Sequence, residues 1–136
     1  MFVEGSEAQF QELLAQLVAR ANRMLAERSE VFPMGLLLMR DGNLDVSVGA
    51  YELVEQIPAL LSAMQSSMSE KTRADDALAC CVAYPDYRAG EIVALLENHE
   101  NYCATVRLAV AGDPPAVDLA GITVKEGSVY VFPVAG

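Results

Sequence analysis

Eight consecutive apolar residues, Ala77-Leu-Ala-Cys-Cys-Val-Ala-Tyr84, lie between Asp75-Asp76 and Pro85. The run is strand-length and shows no alternation of polar with apolar side chains, which is how a strand covered on both faces reads. Pro85, lacking an amide hydrogen, is expected to stop it. The run is therefore taken as the central strand of a sheet, and a sheet so placed requires other elements packed on it.

The helices are legible from spacing. Phe10, Leu13, Leu14, Leu17, Val18, Ala21, Met24 and Leu25 recur at helical intervals, after a capping box formed by Ser6 and Gln9. Glu12, Gln16, Arg20, Arg23 and Glu27 fall on the opposite face, with Arg23 and Glu27 spaced as an i,i+4 ion pair, and Pro33 sets the latest end point. A second helical period runs from Glu52 through Leu53, Val54, Ile57, Leu60, Leu61, Met64 and Met68, with Pro58 required in its first turn. It is expected to fade near Ser66 to Glu70, leaving Ser69 to Arg73 as a polar linker.

Strands fill the remainder. Met34 to Arg40 and Leu44 to Val48 flank Asp41-Gly42-Asn43, the turn chemistry of a hairpin. Ile92 to Leu96 and the alternating segment from Tyr102 to Val110 form two antiparallel strands around the turn at Asn98 to Asn101. After the stiff Asp113-Pro114-Pro115 loop, Ile122 and Val124 are read as facing Val129 to Phe132 in a final hairpin across Lys125 to Ser128. The fold class is α+β, one domain over residues 1–136, with two helices on a mostly antiparallel sheet of about five to seven strands in the order α-β-β-α-β-β-β-(β-β). The segment Phe32-Pro33-Met34-Gly35 leading into a strand, with the Asp41-Gly42 turn after it, resembles small bacterial proteins of unknown function over about residues 10–110. The resemblance implies a fold rather than an activity.

Nineteen acidic against nine basic side chains give a net charge of −10, which repels phosphate backbones and anionic lipid. Nucleic acid and membrane surfaces are therefore not expected as partners. Most of the excess lies in residues 51–100, so a basic partner would be steered there. The N-terminal Met-Phe-Val-Glu-Gly-Ser-Glu has no basic n-region, and no apolar run approaches the ~20 residues that span a bilayer. With three cysteines, two of them adjacent, no disulfide framework is indicated and a reducing cytoplasm is expected.

Reactive groups do not assemble into a recognised motif. Asp41, Asn43, Asp45 and Glu52 fall at calcium-loop positions, but Val46 replaces the glycine that such a loop needs and a strand precedes it, so the hairpin reading is preferred and no metal or cofactor is assigned. His99 and Cys103 are four apart, a spacing that converges on a helix but not between strands. Cys80 and Cys81 lie in apolar sequence that raises thiol pKa values, and as strand neighbours they should face opposite ways. Tyr84-Pro85-Asp86-Tyr87-Arg88 is the segment best suited to contact a partner: tyrosine and arginine anchor interfaces, and proline stiffens their loop. The expectation is a cytoplasmic, non-enzymatic module that binds a protein or itself, as a homodimer, through Tyr84, Asp86, Tyr87 and Arg88 and the acidic middle third. Two alternatives stand beside it: an immunity-type inhibitor of a basic toxin or nuclease, and a small enzyme using Cys81 or Glu97, His99 and Glu100.

Overall fold

The computed structural model of the chain describes residues 4–74 and 77–133. Helix α1 (Glu4–Arg28) leads into the hairpin β1 (Met34–Met39) and β2 (Leu44–Val48). A short 3-10 turn (Val54–Gln56) precedes α2 (Ile57–Ala74). The strands β3 (Ala77–Asp86), β4 (Glu91–Asn98), β5 (Cys103–Ala111) and β6 (Ala116–Glu126) then run as a meander. All six strands form one antiparallel sheet in the order β2-β1-β3-β4-β5-β6. Two helices on such a sheet make an α+β fold. No described helix is long and apolar enough to cross a membrane.

Each face of the sheet carries its own core. Phe10, Leu13, Leu17, Ala21 and Leu25 of α1 bury against Leu36, Cys81, Leu96 and Ala104, which stand side by side across β1, β3, β4 and β5. Each large side chain removed from water there contributes about 1.5–3 kcal/mol. The next row, Leu37, Cys80, Glu97 and Cys103, points to the opposite face. There Leu37 and Cys80 pack with Met68 of α2 and with Val131 and Phe132. The paired cysteines are thus divided between the two cores.

Gly42 (φ +88°) supplies the left-handed residue of the β1–β2 turn, where Met39 N donates to Asn43 O and Gly42 N to Met39 O. Gly35 has a different role. A Cβ there would come within 2.7 Å of Met68 Sδ and 2.9 Å of Ser47 Oγ, so its bare backbone lets α2 settle on β1.

Four expectations are corrected. Helix α1 begins at Glu4, so Ser6 lies within it rather than capping it. Pro58 does lie in the first turn of α2, but the helix runs to Ala74 and absorbs the supposed linker, its buried Met64 and Met68 spaced one turn apart. Thr72 Oγ1 donates to the Ser69 carbonyl inside that segment. Pro85 does not stop β3, since it pairs opposite Ile92 and the strand ends at Asp86. The final hairpin is absent among the described residues. Residues 116–126 form the single strand β6 beside β5, with a break in register between Arg107 and Ala109. Val131 and Phe132 instead bury on the α2 face.

The physical reason for that last rearrangement is Glu97, whose residue is only 2% exposed. A carboxylate so placed requires hydrogen-bond donors. It receives them from the backbone N–H groups of Tyr130, Val131 and Phe132, each at 2.8 Å. Asn101 Nδ2, donating to the Pro133 carbonyl at 2.9 Å, fastens the same segment one step further on.

Candidate functional site

The β3–β4 turn presents the four interaction residues unequally. Tyr87 and Arg88 are exposed, whereas Tyr84 is half-buried. Asp86 is taken up internally: Arg107 Nη1 donates to it at 3.0 Å and to Glu91 at 3.1 Å, and Ala89 N donates to Asp86 Oδ1. The Arg107 hydrogen bond, assisted by Ala89 N–H, holds the Asp86 carboxyl below its usual range. Asp86 therefore shapes the turn while Tyr87 and Arg88 face outward.

Tyr87 does not stand alone. Its hydroxyl is hydrogen-bonded to that of Tyr51, and burial together with that bond pushes its pKa up. The Tyr51 ring meets Phe32 edge-on at 5.8 Å and 66°, and the Arg28 guanidinium lies 5.6 Å from the centre of the Phe32 ring. An aromatic ladder thus ties the β3–β4 turn to the end of α1.

Below Tyr87, Val54, Ile57, Pro58, Tyr84 and Pro85 line a shallow groove of about 260 Å³. Of its lining, Val54 is 54% and Tyr87 48% exposed, and Leu53, the residue before Val54, is 61% exposed. The helical period places Leu53 and Val54 on the apolar face of the second helix. They remain outside because α2 begins only at Ile57, the preceding turn being held by Gln56 Oε1, which accepts from Glu52 N and Leu53 N. Glu52 and Glu55, both exposed, flank them.

At the other end of the ladder, a cleft of about 320 Å³ opens between α1 and β2. Arg20, Arg23, Met24, Glu27 and Arg28 line it from the helix, and Phe32, Met34, Val46, Val48, Gly49 and Ala50 from the strands and the segment after them. Sequence reading missed it because Arg20 and Arg23 look like an ordinary wet helix face until β2 is laid beside them. The expected Arg23–Glu27 ion pair does not form. Among the described residues, Arg20, Arg23 and Arg28 pair with no carboxylate.

The calcium-loop positions do not converge: Asp41 and Asn43 close the hairpin turn, and the others are engaged elsewhere or lie apart. Asp41 accepts from Asn43 N and Nδ2, Asp45 accepts from Lys71 Nζ at 2.8 Å, and Glu52 lies beyond the hairpin next to the 3-10 turn. No group of three or more His, Cys, Asp or Glu among the described residues is placed to hold a metal ion.

The residues of the enzyme alternative do not gather. Cys81 lies under α1, its thiol pushed up to about 12 by burial, while Glu97 faces the opposite core. His99 Nε2 is 3.6 Å from Glu100 Oε1 at the β4–β5 turn. Burial, then the nearby Glu97 and Cys81, raise the Cys80 thiol well above its ordinary value. Such thiols are poor nucleophiles. No family model matches the chain, and no curated protein or solved structure matches it.

Proposed function

We propose that the chain is a non-enzymatic interaction module that binds a protein partner through Leu53, Val54, Tyr87 and Arg88. The observation that carries this reading is that two exposed large apolar side chains, Val54 and Tyr87, line one groove, with exposed Leu53 next to Val54 in the chain, since such residues scattered singly would need no explanation. The ladder through Tyr51 and Phe32 holds Tyr87 in place before binding, which lowers the ordering cost of an interface. Glu52 and Glu55, exposed next to Leu53 and Val54 in the chain and within its most acidic third, favour a partner that presents an apolar anchor flanked by lysine or arginine.

The test uses a partner captured by the immobilised chain and then purified. Val54→Asp and Tyr87→Ala should each weaken that complex by about tenfold or more, as loss of an interface anchor does. Salt should slow association. Unchanged affinity in both variants refutes the assignment.

A second reading, self-association, is favoured by β6, an edge strand carrying exposed Leu119, Ile122 and Val124. Sedimentation equilibrium separates the two. A mass that doubles with concentration and reverts in Val124→Lys supports pairing of copies through β6; a monomer at all concentrations removes it.

A further inference from the structure

The cleft between α1 and β2 is distinct from the groove of the proposed protein interface, Phe32 and Arg28 being the end of the ladder that reaches it. Three of the chain's nine basic residues line it, in a molecule with a net charge of −10. By contrast, Lys71 and Arg107 are consumed in ion pairs with Asp45, Asp86 and Glu91. Arg28 complements the negative C-terminal end of α1, but that effect is confined to the last turn and does not account for Arg20 and Arg23. None of the three has a carboxylate partner among the described residues, so their charges are left for the cleft they line.

The opposite wall is apolar, formed by Val46 and Val48 over buried Met34, with Phe32 under the Arg28 guanidinium. Guanidinium groups match the geometry of carboxylate and phosphate oxygens. Glu27, the sole acidic side chain in the lining among the described residues, opposes an anion without cancelling three cations. At about 320 Å³ the cleft sits at the small end of ligand sites, which fits a metabolite-sized molecule rather than a macromolecule.

We infer that this cleft binds a small amphiphilic anion, an oxyanion head held by Arg20, Arg23 and Arg28 with an alkyl or aryl body lying on Val46 and Val48. The oxyanion is the shared chemistry of two sources, a carboxylate and a phosphate monoester, and the probes distinguish them.

Calorimetric titrations of the intact chain with octanoate, with phenyl phosphate and with octylammonium give the test. At least one of the two anions should bind with a Kd of about 1 mM or tighter, more weakly as salt rises, while octylammonium does not bind. Binding of octanoate alone assigns a carboxylate, of phenyl phosphate alone a phosphoryl group, and of both an oxyanion without further preference. Arg20→Gln/Arg23→Gln should weaken the anion at least tenfold. Arg23→Gln alone, at an exposed helical position that folding tolerates, should weaken it severalfold and guards against a misfolded double variant. The inference is overturned if neither anion binds at about 10 mM, if octylammonium binds as well as octanoate, or if Arg23→Gln and the folded double variant bind unchanged.

Discussion

Replacing Glu97 with alanine tests how the chain beyond β6 is held. In the native protein the Glu97 carboxylate accepts from three successive backbone amides at 2.8 Å, and two of those hydrogen bonds, to Val131 and Phe132, are buried. Without the carboxylate the segment has two courses. It can stay in place with two buried N–H groups unpaired, at about 1–3 kcal/mol each. It can also lift away and rehydrate, giving up the burial of Val131 and Phe132 at about 1.5–3 kcal/mol each. Whichever course costs less, Glu97→Ala should lower the unfolding free energy by about 2–5 kcal/mol, a large share of the 5–15 kcal/mol that holds a domain together. Glu97→Gln keeps one acceptor oxygen but turns an amide N–H₂ toward a donor, and should cost about half as much. Urea unfolding gives the magnitudes, and hydrogen exchange at residues 130–132 locates them. If Glu97→Ala lies within about 0.5 kcal/mol of the native chain and those amides stay protected, the reasoning is refuted.

Two further outcomes follow from groups whose pKa is displaced. Hydrogen bonding from Arg107 depresses the folded pKa of Asp86 below its ordinary 3.8, so the stability it contributes is present above the unfolded value and is lost as pH falls through the folded one. Asp86→Asn should therefore be less stable than the native chain at pH 7, with the gap narrowing as pH falls below about 4; a gap that does not narrow with falling pH would contradict the pairing. Cys81, pushed up to about 12, has about one thiolate in ten thousand at pH 8, so iodoacetamide should modify half-buried Cys103 well before Cys80 or Cys81 in the native chain. Intact-mass kinetics check the order, and a Cys81 that reacts as fast as a free thiol would break it.

What local spacing could reveal was the set of elements whose burial repeats along their own length. The face of α1 and the double-sided run of β3 announce themselves, because each buried residue has a neighbour one period away. The end of α2 did not, since the solvent side of a helix and a linker share the same polar residues. Residues 116–133 misled for a different reason. Between Asp118 and Thr123 the strand carries more residues than the stretch of β5 it faces, which breaks alternation. The burial of Val131 and Phe132 depends on Glu97, more than thirty positions earlier, and no window of sequence contains both. Tyr87 and Arg88 were legible as surface anchors, whereas Leu53 and Val54 were mistaken for core. The arginines of α1 acquire a shared wall only after β2 is placed.

Leu96 and Glu97 are consecutive on β4, one beneath α1 and the other among the groups that receive the end of the described chain. Sliding β4 by a single position would exchange them, driving a carboxylate among Leu13, Leu17 and Val106, where the surroundings are hydrocarbon. Such a misaligned sheet would strand a charge on one side and three amides on the other. The carboxylate is thus a key cut for one lock, and it makes assembly of the meander an all-or-nothing matter rather than a choice among near-equal alignments.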